Sequence, residues 1–193
     1  MSVEDSELFF YQADCKRRVL LRKSEAVLKM PLPTQRQCNV EIQNKSSSLM
    51  LCEPLVYAFK GNCESPLPPT LRPSESGSAL FTKKVYTASG SSGVFTYDVV
   101  HESSKEYKGR LAVMFAVPYD FNIFYNWYAV GIFSKDKLCN DELYTEMYYG
   151  VQHCFIRGKA KGPSLTHKEG GVTIRASMSD SFKPVLKLEL CDN

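Results

Sequence analysis

No run of apolar residues in this 193-residue chain approaches the ~20 that cross a bilayer as a helix. Charge of one sign is scarce too. Lysine plus arginine number 24 against 21 aspartates and glutamates, a net +3, and so small a surplus argues for no nucleic-acid partner when zinc-ligand, helix-turn-helix and RNP patterns are also missing. The three histidines, His101, His153 and His167, stand in unrelated contexts with no nucleophile motif beside them, so no enzyme is expected. His153 and Cys154 read as strand neighbours pointing to opposite faces, which denies them a shared metal, and no metal or cofactor is expected. Gly90-Ser91-Ser92-Gly93 reads as a turn ahead of a strand rather than a helix, which excludes a phosphate-cradling loop. Seven cysteines, an odd number with no CxxC pair, fit free thiols better than a disulfide framework. The opening MSVEDSEL has neither the charged start nor the apolar core of a secretory signal. It predicts a soluble chain, of the cytoplasm or released by a non-classical route.

What the chain does have is concentrated between Leu111 and Gly150, which holds 11 of its 23 aromatic residues and its one tryptophan, Trp127. Seven consecutive apolar residues, Leu111 to Val117, predict a strand buried on both faces, because a half-buried strand alternates. Pro118-Tyr119-Asp120 ends it. Tyr119, Phe121, Phe124, Tyr125, Trp127 and Tyr128 follow, interrupted by Asn122 and Asn126, a composition expected of a loop displaying rings at a surface. Asn140 or Asp141 then caps a helix with Asp141 and Glu142 in its first turn and Gly150 as its stop. Tyr144 and Tyr148, four apart, share one face of it, flanked by Met147 and Tyr149. Two readings of these rings stay open: packing of the helix on a sheet, or a ligand or interface site, the latter favoured by the number of phenols.

Elsewhere the pattern is β. Val40 and Ile42 alternate with polar neighbours ahead of a turn at Asn44–Ser48. Leu49–Cys52 and Leu55–Phe59 read as short strands separated by Pro54, and residues 61–78, rich in proline, as a long irregular loop. Further strands are expected at Ala79–Tyr86, Val94–Val100, Gln152–Ile156, Val172–Met178 and Val185–Leu190. The fold class is therefore mainly β: a β-sandwich of about ten or more short strands flanked by one or two α-helices. Two regions are expected, residues 1–37 and a sandwich of residues 38–193. Within the first, Cys15 to Met30 carries six basic residues and one acid, with Leu20, Leu21, Val27 and Leu28 forming an apolar stripe. A surface helix or tail and a membrane-seeking helix both fit it; Pro31 and Pro33 end it.

The run LAVMFAVPYDFNIFYNWYAVGIF, the later LYTEMYYG and the upstream Gly93-Val94-Phe95-Thr96-Tyr97 together resemble the core signature of the actinoporins, the sea-anemone pore-forming cytolysins, and more closely their actinoporin-like relatives in vertebrates. The resemblance runs from about Asn39 to the C-terminus and is ungapped from Leu111 to Gly150. It implies an N-terminal segment that inserts to line a pore, and a site for the phosphocholine headgroup of sphingomyelin. Tyr144, Tyr148 and Tyr149 then match the headgroup tyrosines, Pro118 the proline beside the site, and Ser46 a serine reaching the phosphate. Trp127, with Ile123, Phe124 and Tyr125, belongs to the membrane-facing loop. Electron-rich ring faces suit a quaternary ammonium, which has no N–H to donate. There are departures: Ile123 stands for a tryptophan, Phe124 for a tyrosine, Ala116 for a serine and Ser92 for a valine, while Arg157-Gly158-Lys159 keeps only a portion of an Arg-Gly-Asp tripeptide. The resemblance thus implies a protein that docks on choline lipids and oligomerises into a pore; the alternative is a lipid- or glycan-binding module on the same sandwich that makes no pore.

Overall fold

The computed structural model describes residues 35–192; the expected helix at Cys15–Met30 and nearly all of the 1–37 region lie outside them. Twelve strands and one helix follow in the order β1 (Gln37–Asn44), β2 (Leu49–Lys60), β3 (Asn62–Ser65), β4 (Thr70–Leu71), β5 (Ser76–Thr82), β6 (Ser91–His101), β7 (Tyr107–Val117), β8 (Trp127–Phe133), α1 (Asp141–Tyr149), β9 (Phe155–Lys159), β10 (Leu165–Glu169), β11 (Val172–Met178) and β12 (Val185–Asp192). They form two six-stranded sheets, ordered β10-β11-β12-β1-β5-β3 and β4-β2-β6-β7-β8-β9. Strands β1 and β12 pair in parallel, while the other pairings among the described residues are antiparallel. The architecture is the expected β-sandwich.

The run Leu111–Val117 is buried on both faces, for a reason the topology makes plain. Leu111, Val113, Phe115 and Val117 enter the core between the sheets with Phe81, Phe95 and Tyr128. Ala112, Met114 and Ala116 face outward into a second apolar cluster built with Leu143, Tyr144 and Met147 of α1. The helix covers the outer face of the second sheet, so its central strands cannot alternate. In β12, by contrast, Leu186, Leu188 and Leu190 go inward while Lys187 faces water. Among the described residues no helix is long and apolar enough to cross a membrane, which says nothing of strands.

Several local expectations change. Pro54 does not break the chain into separate strands: β2 is continuous, with a register shift between Cys52 and Leu55 and Glu53 at φ 50° absorbing the proline in a bulge. Residues 61–78 are not an irregular loop. They supply β3 and β4, the terminal strands of the two sheets, and the start of β5, with Pro66, Pro68, Pro69 and Pro73 confined to the connections between these strands. Leu67 and Leu71 are buried there, and Pro68 accepts a hydrogen bond from the core phenol of Tyr97 at 2.7 Å. Strand β5 stops at Thr82, and Ser91–Gly93 is already strand, so the turn lies earlier, at residues 83–90. Strand β9 begins at Phe155; His153 and Cys154 sit in a bend, where strand alternation does not apply. Strand β8 takes in Trp127 and Tyr128, and the latter is a buried core ring rather than a displayed one. Strand β1 begins at Gln37, and Arg36 Nε donates to the Tyr119 carbonyl at 3.0 Å.

Candidate functional site

Helix α1 starts where Asn140 caps it, its side chain accepting from the Leu143 N–H at 3.1 Å. Its far end is closed from β9: Arg157 Nη1 donates to the carbonyls of Met147 (3.0 Å) and Gly150 (3.3 Å), groups no helical N–H can reach. Held at both ends, the helix presents Tyr144 and Tyr148 on one face. Their rings stack at 5.8 Å, and Tyr149 meets Tyr148 edge-on at 4.6 Å. At the other end Phe59, from β2, lies face to face on Tyr144 with centroids 4.6 Å apart. Four rings thus make a row.

Beneath the row runs a second one, made by strand register. Lys60 pairs with Ser92, Ser92 with Ala116, Ala116 with Trp127 and Trp127 with Lys159, across five adjacent strands. At ~4.8 Å between strands this row spans roughly 19 Å. Rings and sheet together with the loop of residues 118–125 enclose a cleft of about 450 Å³. Gly90 allows the 83–90 turn to close it: a Cβ there would lie 2.0 Å from the Val117 carbonyl oxygen and 3.1 Å from Pro118. Arg36 fixes the loop from behind. Its guanidinium donates to the carbonyls of Pro118 (3.2 Å) and Tyr119 (2.7 Å) and lies 4.5 Å over the Phe182 ring.

Of the residues the sequence matches to the headgroup site, Ser92, Ala116, Pro118, Phe124, Tyr144, Tyr148 and Tyr149 all line this cleft, as does Tyr125 of the expected membrane-facing set. Two do not. Trp127 abuts it, packed like Tyr148 against the α1 cluster and paired in register with Ala116. Ser46 is elsewhere: it is buried in the β1–β2 turn, where its hydroxyl bonds Asn44 Oδ1 (2.6 Å) and the Leu49 carbonyl (3.0 Å). Leu49 pairs with His101, nine residues along β6 from Ser92 (101 − 92), which is roughly 30 Å at ~3.3 Å per residue. Ser46 organises a turn and contributes nothing to the cleft. In exchange the cleft gains Phe59, Lys60 and Tyr119, which no sequence signal singles out as a group.

The loop rings divide. Phe121 turns back onto Phe182, edge to face at 4.9 Å. Ile123, Phe124 and Tyr125 stand out at 68%, 57% and 45% exposure, and Tyr149 at 75%. Together they form an apolar, ring-rich rim, the kind of exposed patch that marks an interaction surface. Inside the cleft the phenols are neutral donors. Burial pushes the Tyr144 hydroxyl up to about 12, a hydrogen bond with Ser92 opposing it. Burial also raises Tyr148, aided by Tyr149 and opposed by Arg157. Neutral phenols can donate to phosphate oxygens, and the ring faces can receive a cation.

Residues 25–190 match the family described as sea anemone cytotoxic protein. Cytolysin tenebrosin-B of Actinia tenebrosa is 24% identical over 144 residues, 61% of this chain and 64% of that protein. The chain thus spans under two thirds of the length of the first curated relatives it matches. Among solved structures, the lipid binding protein Nakanori is similar with a TM-score of 0.63 at 12% identity, over 91% of this chain and 79% of that one. The Xerocomus chrysenteron lectin XCL is similar with a TM-score of 0.50 at 11% identity, over 82% of this chain and 99% of that one. These two likenesses are of fold. The family match extends over most of the chain, and the chain belongs to the sea anemone cytotoxic protein family, the actinoporins.

Proposed function

We propose that this chain docks on membranes rich in choline headgroups through the aromatic cleft, and that docked copies assemble to permeabilise the bilayer. The observation that carries the reading is the four-ring row Phe59–Tyr144–Tyr148–Tyr149 lining one cleft with an exposed aromatic rim. Ring faces would hold the trimethylammonium, while the phenols, the Ser92 hydroxyl and the Lys60 ammonium would answer the phosphate. The rim residues Ile123, Phe124 and Tyr125 would enter the interfacial layer, as amphipathic rings do. Ser92 also bears on the choice of lipid. The hydroxyl that the actinoporin pattern carries at position 116 is missing at Ala116, but Ser92 faces Ala116 directly across the β6–β7 pair. Moved by one strand spacing, the hydroxyl still reaches the same cleft. Residues 1–37 are assigned the permeabilising step and the sandwich the binding step. The chemistry proposed is binding and insertion, with no enzymatic step.

The test is pelleting with vesicles of phosphatidylcholine and sphingomyelin. Replacing both Tyr148 and Tyr149 with alanine should weaken binding by roughly tenfold to a hundredfold, from about 0.5–2 kcal/mol lost per ring. A correctly folded double variant that pellets like the parent would overturn the cleft assignment. Dye release run in parallel separates a pore from a binding module: a chain that binds vesicles of every composition and releases nothing is a module.

A further inference from the structure

The cleft accounts for the rings and for Lys60, but not for the basic pair just beyond its far end. Lys159 closes the cross-strand row on β9, paired in register with Trp127. Its ammonium lies 4.1 Å from the centroid of the Tyr125 ring and 5.2 Å from that of Trp127. Lys161, two residues on, lies 5.6 Å from the same Tyr125 ring. Two cations therefore gather around one half-exposed aromatic of the rim.

Neighbouring charges do not neutralise them. Among the described residues no carboxylate comes within ion-pair distance of Lys159. Lys161 has only a long contact with Asp180, 3.7 Å, and stays well exposed. Arg157 is a different case: its guanidinium is committed to the carbonyls at the end of α1 and serves as a cap. Arg36 and Lys83, which lie over the Tyr119 ring, are likewise held by backbone carbonyls, of Tyr119 and of Thr87. Lys159 and Lys161 thus present charge beside the rim, the first with no ion pair among the described residues and the second with only the long Asp180 contact. Position decides what that charge can meet. Ile123, Phe124 and Tyr125 are exposed apolar groups that gain by entering an apolar phase, and ammoniums anchored on Tyr125 would be carried to headgroup depth with it. Such surroundings exclude a nucleic acid, which offers phosphates but no apolar phase for Ile123 and Phe124 to enter.

We infer that Lys159 and Lys161, mounted on Tyr125 and Trp127, form a second headgroup subsite for anionic lipid beside the choline cleft. Its orientation rests on the membrane-docking reading above, but its ligand is different: a phosphate or carboxylate bearing net negative charge, in a lipid such as phosphatidylserine. Each basic side chain held near an anionic surface is worth about 1 kcal/mol, close to a fivefold gain in affinity. The subsite should therefore be sensitive to salt, whereas a choline cage, which binds a net-neutral headgroup, should be nearly indifferent to it.

The experiment uses the full chain on three vesicles: phosphatidylcholine alone, phosphatidylcholine with sphingomyelin, and phosphatidylcholine with about one-fifth phosphatidylserine, the last at low and high salt. The parent should bind the serine-lipid vesicles roughly tenfold or more tightly than phosphatidylcholine alone, and high salt should erase the gain. Lys159→Glu with Lys161→Glu should abolish that gain and leave binding to sphingomyelin vesicles unchanged; Lys159→Arg with Lys161→Arg should keep it. A parent with no gain on anionic vesicles, or a charge-reversed variant that retains the gain, overturns the subsite. Loss of sphingomyelin binding in the Tyr148 and Tyr149 variant, with the anionic gain intact, would show the two sites to be separate. A parent that binds only anionic vesicles, through these lysines, would instead sink the choline reading and keep this one.

Discussion

The outer faces of the two sheets make opposite use of the same strand geometry. On the first sheet, β1, β5 and β12 alternate, and most of their outward residues are polar or charged; Glu41 pairs with Lys187 at 3.6 Å, and Lys45, just past β1, with Glu189 at 2.5 Å. The shallow groove between them, about 490 Å³, is lined by Glu41, Gln43, Ser76, Lys187 and Glu189. On the second sheet the outer face is apolar, α1 lies over it, and the cleft at its edge is slightly smaller, about 450 Å³. Size does not distinguish the two. In the first groove charges satisfy one another and water does the rest; such exposed pairs are worth little and ask for no ligand. In the second, phenols, a lysine without an ion pair among the described residues and a row of four rings line the cleft, groups that on the proposed reading would take a cation and a phosphate.

The widest separation between these roles should come from the N-terminal region. Removing residues 1–34 keeps Arg36 and β1, hence the sandwich and the cleft. Dye release from sphingomyelin vesicles should fall by roughly a hundredfold or more, while pelleting stays within about twofold, since insertion rather than docking needs an amphipathic segment. Undiminished release would break the division of labour between segment and sandwich.

A finer cut is the moved hydroxyl. Ser92→Val should weaken binding to sphingomyelin vesicles by roughly threefold to tenfold, the loss of one hydrogen bond of about 0.5–1.5 kcal/mol. Adding Ala116→Ser to that variant should recover most of the loss, because the two positions face each other across β6 and β7. A double variant no better than Ser92→Val would show that the hydroxyl acts through Tyr144 alone.

The pH response should be smaller still below pH 10. The Tyr144 phenol, pushed up to about 12 by burial, keeps its proton where the unfolded chain loses its own near 10. This contribution to stability is therefore complete below pH 10 and is lost as pH rises from 10 toward 12. Binding measured by pelleting should be level from about pH 6 to 9; a decline centred near pH 7 would mean that another group controls the cleft. Least of all should happen on the first sheet, where Glu41→Gln with Lys187→Gln should change stability by under about 1 kcal/mol and vesicle binding not at all.

Much of the second sheet is legible in the sequence because its central elements are local. A continuous apolar run announces β7, and an Asn cap with spaced tyrosines announces α1, since each signal lies within one element. Phe59 is not legible. It reaches Tyr144 from 85 positions away (144 − 59), through a register that a bulge at Pro54 shifts, and nothing in its local sequence distinguishes it from a strand residue. Strands β3 and β4 are hidden because they are only four and two residues long and the prolines of the connections around them mask so short a signal. Ser46 misleads for the opposite reason: a serine in a turn cluster is a good candidate for many tasks, and here it closes the turn. Tyr128 looks displayed because it follows a ring-rich loop, yet one residue past Trp127 the strand has begun and parity sends it to the core.

One measurement reaches the central claim most directly. Trp127 is the chain's only tryptophan, it pairs in register with Ala116 of the cleft lining, and its emission reports whether its ring leaves water. Titration with phosphatidylcholine–sphingomyelin vesicles should shift that emission to the blue in the parent, and should fail to do so in a folded variant with Tyr148→Ala and Tyr149→Ala. An equal shift in both proteins, or none in a parent that nonetheless pellets with the vesicles, would contradict docking through the aromatic cleft.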